Sequence, residues 1–206
     1  MGKPFFSVIV PAHNSERYLG KCLLSIRQQT FTDYELIVVC DACTDKTARV
    51  ARDYADRVIE TNHGMDGLAR NTGIDFSLGG WILFLDDDDW WIHEYVLEEI
   101  HKVADRFGDQ IDLILFDFIW KDLGYAEQYP QRMNIAVWSK AFRREFLGDT
   151  RFPAVPFTSD QPFMDEICAK KPVAVPTGKL MYYYNYMRKG SQTEINARPG
   201  GAVPEA

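Results

Sequence analysis

Along the first ninety positions, short continuous apolar runs alternate with stretches whose apolar residues recur at helical spacing. Phe6-Ser-Val-Ile-Val10 is a β-rich run ending at Pro11. Asn14 and Ser15 offer N-caps, with Glu16 in the first turn, to a helix with Tyr18, Leu19, Cys22, Leu23 and Ile26 on one face. Glu35-Leu-Ile-Val-Val-Cys40 is a second strand, apolar through its centre as a parallel strand covered on both faces would be. Thr44 or Asp45 can cap a helix facing inward with Ala48, Ala51, Tyr54 and Ala55. Arg57 to Thr61 is a short strand, Leu68 to Leu78 a helix ended by Gly79-Gly80, and Trp81 to Leu85 a fourth, wholly apolar strand. The second half is less regular. His93 to Phe107 is a helix, Asp112 to Ile119 a strand, and 136–147 and 160–169 are short elements joined by Pro-bearing loops. Leu180 to Met187, with four tyrosines, reads as a strand or strand-like clamp.

The β-α-β-α-β-α-β order predicts an α/β fold, a mainly parallel central sheet with helices on both faces. Ligands of such sheets bind beyond the carboxyl ends of the strands, which draws attention to the residues after Val10, Val39 and Leu85. A single domain is expected over residues 1–196, with a flexible tail rich in Gly and Pro at 197–206.

Composition narrows the function. The 206 residues are 46% hydrophobic and 26% charged, a globular balance with enough chain for a core without staples. A net charge of -7 with no basic stripe speaks against nucleic acid as a partner. The longest apolar run, near Ile111 to Trp120, is broken by Asp112 and Asp117, so no transmembrane segment is expected. The Met-Gly-Lys-Pro start lacks a secretory signal, and four cysteines read as reduced thiols. A cytoplasmic location follows as the expectation, compatible with peripheral contact at the inner membrane face.

The densest chemistry is Asp86-Asp87-Asp88-Asp89, directly after the fourth strand. Adjacent carboxylates repel unless a cation sits among them, and in an extended segment Asp86 and Asp88 would point the same way. Oxygen-only ligands suit Mg²⁺ or Mn²⁺. Asp41 ends the second strand and could accept a hydrogen bond from a nucleobase or ribose; a loop or capping role is the plainer alternative, which Asp45 fits better. Pro11-Ala-His-Asn14 places small side chains at the same crevice. Arg70 offers a guanidinium to base or phosphate, or simply a surface ion pair. Cys40 and Cys43 have no second Cys-x-x-Cys to complete a zinc site, His93-Glu94 is not completed as a zincin helix, and no Walker, Gly-x-Gly-x-x-Gly or Gly-x-Ser-x-Gly motif occurs.

Four segments in order resemble the family 2 glycosyltransferases of the GT-A fold: Val8 to Asn14, Val38 to Thr47, Gly67 to Ile74 and Leu83 to Trp91. The second is similar to a "Val-Asp-Asp-Gly-Ser-Thr-Asp-Gly-Thr" turn, the third to "Ala-Arg-Asn-x-Gly", the fourth to the Asp-x-Asp segment. Weaker likeness continues at Ala136 to Arg144, at Thr158 to Phe163 where the family carries a Glu-Asp pair, and at the Tyr182 to Ser191 segment. The resemblance implies that Asp41 reads the uracil of a UDP-sugar. It implies that Asp86 and Asp88 are the metal pair, Asp88 being the direct ligand, that Asp160 is the catalytic base, and that Arg188 and Lys189 neutralise the diphosphate. Cys40, Ala42, Cys43 and Ser159 depart from the pattern.

The reading that follows is a metal-dependent inverting glycosyltransferase using Mn²⁺ or Mg²⁺. A nucleotide-sugar half, about 1–91, would hold a UDP-sugar through Pro11, Ala12, Asn14, Asp41, Arg70, Asp86, Asp87, Arg188 and Lys189. An acceptor-side half, about 92–196, would receive a saccharide or lipid-linked saccharide of a cell-envelope polysaccharide or glycan, with Trp90, Trp91 and Tyr182 to Tyr186 available to stack on sugars. The alternatives are a catalytically inactive nucleotide-sugar or glycan-binding module of the same fold, and a nucleotidyltransferase, which would want a glycine-rich loop after the first strand.

Overall fold

The computed structural model describes residues 2–120, 126–127, 136–156 and 158–185. Its first half is the alternation that the apolar pattern predicts. The elements run β1 (Phe6–Ala12), α1 (Leu19–Arg27), β2 (Tyr34–Asp41), α2 (Thr47–Arg52), β3 (Arg57–Thr61), α3 (Asp66–Phe76) and β4 (Trp81–Phe84). Then come β5 (Trp90–Trp91), α4 (Val96–Phe107), a 3-10 turn (Gly108–Gln110), β6 (Leu113–Trp120) and β7 (Ala126–Glu127). A second 3-10 turn (Val137–Ser139) leads into β8 (Lys140–Arg143), α5 (Arg144–Leu147), α6 (Asp160–Ala169) and β9 (Ala174–Tyr184).

One sheet of order β3-β2-β1-β4-β8-β6-β9-β5 joins both halves, with β7 paired to β6. β3, β2, β1 and β4 are mutually parallel. Beyond β4 the sheet is mixed: β8 is antiparallel to β4 and β6, β9 is parallel to β6, and β5 is antiparallel to β9. The parallel expectation therefore holds for the first half and gives way in the second. There β8 runs antiparallel to both its neighbours, and α5 and α6 carry the chain from β8 to β9.

Strand alternation divides the core between two faces. Val8, Val10, Leu36, Val38 and Leu83 pack with Leu19, Leu23 and Ile26 of α1 and Leu97 and Ile100 of α4. Ile9, Ile82 and Phe84 point the other way, against Ile74 of α3, Phe152, and Phe163, Met164 and Ile167 of α6. Gly73 lets α3 approach this closely: a Cβ there would lie 2.3 Å from Ile9 Cγ2. Both faces being covered explains why β1, β2 and β4 read as continuous apolar runs.

Two capping and strand expectations are corrected. Asn14 does not cap α1; its φ is 48° and its Oδ1 accepts the Thr44 N–H at 2.8 Å, tying two crevice loops together. The chain instead enters α1 through the Ser15 carbonyl, which accepts from Tyr18 and Leu19. The Leu180 strand starts earlier, at Ala174, because β6 supplies a parallel partner from Leu113 onward. Of the two candidates at the start of α2, Asp45 is the one that engages the helix, its Oδ1 accepting the Thr47 N–H at 2.9 Å. The 197–206 tail lies outside the described residues. No helix among them is long and apolar enough to cross a membrane.

Candidate active site

β1, β2 and β4 run parallel, so their carboxyl ends open on one crevice. Pro11 and Ala12 close β1, Asp41 closes β2, and Asp86 to Asp89 follow β4. α3 brings Arg70 to the same place, and α6 begins there with Asp160. Arg188 and Lys189 lie outside the described residues.

Asp41 is 4% exposed and its carboxylate is occupied. Oδ1 accepts from Thr61 Oγ1 at 2.8 Å and the His63 N–H at 2.6 Å; Oδ2 accepts the Met65 N–H at 3.0 Å. It thereby ties the loop between β3 and α3 to the end of β2. The next residue, Ala42, sits at a φ of 51°, in the region glycine favours. Cys43 packs its Sγ 3.3 Å from the Ala12 carbonyl, and its thiol is lowered to about 7, chiefly by a hydrogen bond from Cys40.

The acidic run is a turn, not an extended segment: the Asp89 N–H donates to the Asp86 carbonyl at 3.1 Å. The expectation that alternation would aim Asp86 and Asp88 together therefore fails. The turn instead sends neighbouring carboxylates to separate partners, which relieves their repulsion. Asp86 Oδ1 meets Arg70 Nη2 at 2.9 Å, and Asp87 Oδ2 accepts the His13 N–H at 3.0 Å. Asp89 is fully buried, taking the Tyr182 hydroxyl on Oδ2 and the Asn185 N–H on Oδ1 at 2.7 Å. Burial, with Asp88 and Asp86 nearby, pushes the Asp89 carboxyl well above its usual range. Asp88 stays half-buried, and its carbonyl accepts from Asn185 Nδ2 at 3.2 Å.

Among the described residues, no three Asp, Glu, His or Cys side chains gather as a closed metal cage would require. The donors present are nevertheless carboxylate oxygens at the mouth of a crevice. A magnesium-type ion takes one or two carboxylates and completes its shell with water and phosphate oxygens. These residues fit an ion that is held jointly with a diphosphate.

Arg70 is the electrostatic centre. Its side chain is 5% exposed, with Nη1 2.6 Å from Asp66 Oδ2 and 3.4 Å from Asp160 Oδ1. Asp160 is not spent on capping: Ser159 holds the N-cap position of α6, and no side-chain cap bond forms. Asp160 Oδ1 is buried without a hydrogen-bond partner. Burial pushes its carboxyl up to about 6; Arg70 opposes this, while Asp86 and Asp66 add to it.

Some residues of the site declare their roles only in the fold. Asp66 is bonded by Arg70, one helical turn on, and by the distant Ser159, and Asp89 by the distant Tyr182 and Asn185. Lys140 is 1% exposed, donates to the Ala136 carbonyl at 2.6 Å, and is lowered to about 7 by burial, with Asp160 opposing. Of the aromatic wall, Trp91 and Tyr182 are core residues, 3% and 0% exposed, and are not available to a sugar. Trp90 is half-buried, stacked on Tyr183 with centroids 4.0 Å apart and covered by Lys21 Nζ at 3.0 Å. Tyr186 lies outside the described residues.

The profile of "Glycosyl transferase family 2" matches residues 7–164. Glycosyltransferase GlyA of Streptococcus pneumoniae is 26% identical over 219 residues, covering 92% of this chain and 31% of that protein. The crystal structure of Staphylococcus aureus TarS with UDP-GlcNAc superposes with a TM-score of 0.80 at 25% identity, over 90% of this chain and 59% of that one. A Pyrobaculum calidifontis mannosyltransferase solved with GDP-Man and Mn²⁺ shares the fold, with a TM-score of 0.70 at 17% identity, over 95% and 60%. The chain thus spans less than two thirds of each of these proteins.

Proposed function

The chain belongs to glycosyl transferase family 2, and on that premise we propose that it moves a sugar from a UDP-sugar to an acceptor hydroxyl with inversion, in cell-envelope glycan synthesis. The observation that carries the reading is the meeting of the post-β4 acidic turn, Arg70 and Asp160 at one crevice. The UDP donor and the envelope pathway are supported by a relative: TarS, a poly(ribitol-phosphate) β-N-acetylglucosaminyltransferase, is solved with UDP-GlcNAc.

In this reading the crevice edge made by Pro11, Ala12 and Asn14 receives the nucleotide. Asp41 holds the wall beside the base, its carboxylate already fixing the loop that carries His63 and Met65. Asp87 fixes the backbone at His13. Asp88 holds the divalent ion; Asp86, with Oδ1 on Arg70, is a neighbouring charge rather than the main ligand. When bound, Mn²⁺ or Mg²⁺ supplies charge stabilisation for the departing nucleoside diphosphate. Arg188 and Lys189 are proposed to add positive charge there. Asp160 takes the proton from the acceptor hydroxyl as its oxygen attacks the anomeric carbon, and a single displacement inverts configuration. A raised, hydrogen-bond-poor carboxyl suits a base that must accept a proton near neutral pH. Ser159, which replaces the first acid of the family pair, donates to Asp66 at 3.3 Å, so an acid still stands beside Asp160. That contact weighs against an inactive binding module.

Thermal shift with UDP tests the donor half. UDP should stabilise the protein more with Mn²⁺ than with EDTA, by mass action, and Asp88→Ala should erase the difference. Equal UDP stabilisation with metal and with chelator removes the metal from the reading.

A further inference from the structure

One guanidinium serves three carboxylates here, and it serves them unequally. Arg70 Nη1 gives its short bond to Asp66 Oδ2, at 2.6 Å, and Nη2 goes to Asp86 at 2.9 Å. Asp160 Oδ1 stands 3.4 Å from Nη1, within ion-pair range but without a hydrogen bond. Asp66 is itself well fixed. It is the first residue of α3, where the helix N-terminus favours a carboxylate, and the Ser159 hydroxyl lies 3.3 Å from both its oxygens. α3 and the start of α6 touch at this point, since a Cβ on Gly67 would lie 2.8 Å from Ser159 Cβ. We propose that Asp66 is a positioning residue for Asp160: by keeping Arg70 Nη1 on its own carboxylate, it leaves Asp160 Oδ1 free of a hydrogen bond and open to a proton.

The inference rests on the reading of Asp160 as the base. A guanidinium bonded directly to Asp160 would stabilise its charged form and occupy the lone pair that the acceptor proton needs. Asp66 prevents this twice, by geometry and by its own negative charge. The groups facing Asp160 are Arg70 and Asp66 from α3, Asp86 from the turn after β4, Lys140 from β8, and the Val137 N–H. Only Asp66 competes with Asp160 for the same guanidinium nitrogen.

Asp66→Asn keeps the shape and removes the competing charge. Carboxyl ¹³C titration of the full chain would follow Asp160, its signal identified by its loss in Asp160→Asn. The Asp160 midpoint should lie above the ordinary range in the wild type and fall by about one pH unit in Asp66→Asn, as Arg70 turns to it. Asp66→Glu should restore it. A fall of the same size when Asp66→Asn is made beside Arg70→Met, where no guanidinium can turn, would leave only the charge of Asp66 and overturn its positioning role. An unmoved midpoint in Asp66→Asn, or an ordinary one in the wild type, overturns the role of Asp66. Undiminished sugar transfer by Asp160→Asn would instead overturn the base itself, whatever the titration shows.

Discussion

Asp41, at the end of β2, and Asp160, at the start of α6, are acids of one crevice whose surroundings treat them in opposite ways. Asp41 accepts three protein hydrogen bonds, two of them from backbone N–H groups. Asp160 has a buried oxygen that accepts none. A carboxylate so fully engaged acts as a joint, fixing where the loop between β3 and α3 stands. A carboxylate left short of partners is costly to bury, and the cost appears as a tendency to bind a proton. The first arrangement suits holding a ligand, and the second suits taking a proton from one.

The comparison breaks soonest at Asp160. Asp160→Asn should reduce transfer by roughly 10²-fold or more, since an amide cannot accept the acceptor proton. Melting temperature and UDP affinity should barely change, because the helix lacks a side-chain cap bond to lose. Wild-type transfer should also fall as pH drops through about 6, where the carboxyl protonates. Stability should move the other way. A folded-state value above the unfolded one means the folded chain holds its proton more tightly, so this group's contribution falls as pH rises from about 4 to 6. Transfer by the Asn variant near the wild-type rate would make Asp160 as structural as Asp41.

Much of this was legible in the chain, and the parts that were not share a cause. β1, β2 and β4 announce themselves because both faces are buried, so their centres are apolar and the ends fall at Pro11, Asp41 and the acidic run. The ligand end of the sheet follows from that order alone. The acidic run departs from strand alternation because the bond from the Asp89 N–H to the Asp86 carbonyl reverses the chain there. The cluster around Arg70 was out of reach for another reason. Arg70 and Asp66 are one helical turn apart and read as a surface pair, and only the fold brings Asp86, Ser159 and Asp160 to them. β5 was hidden because two residues, Trp90 and Trp91, carry no period; they become a strand only against Tyr183 and Tyr182.

The second test acts on the engaged acid. Asp41→Ala strands the His63 and Met65 N–H groups and the Thr61 hydroxyl. Bonds to a charged group are worth about 1.5–3 kcal/mol each, and losing coupled ones falls short of their sum. A loss of about 2–3 kcal/mol is expected, or roughly 5–10 °C in melting temperature for a chain of this size. UDP affinity should fall by at least about tenfold, the loop beside the base losing its anchor. Metal dependence should persist. Calorimetry with UDP titration checks both; an unchanged melting temperature would show that Asp41 is not the joint described here.

The smallest effect concerns the backbone beside each acid. Ala42 follows Asp41 at a φ of 51°, and Thr158 stands two residues before Asp160 at 58°. Left-handed backbone costs an L-residue roughly 1–2 kcal/mol, and a β-branched one is the rarer occupant. Glycine relieves that strain but gives about 0.5–1 kcal/mol back through the freedom of the unfolded chain. Ala42→Gly should therefore stabilise by about 0–1.5 kcal/mol, or no more than ~6 °C. Its neighbours are already fixed, Asp41 by three bonds and the Ala42 N–H by the Thr61 carbonyl at 2.8 Å, so UDP affinity should hold. Thr158→Gly should gain at least as much stability, but Asp160 has few bonds of its own to keep it in place. Relaxing the segment that delivers it should cost transfer even as the melting temperature rises. Equal activity in the two glycine variants would mean that Asp160 is as firmly held as Asp41, and the contrast between them would then lie in charge alone.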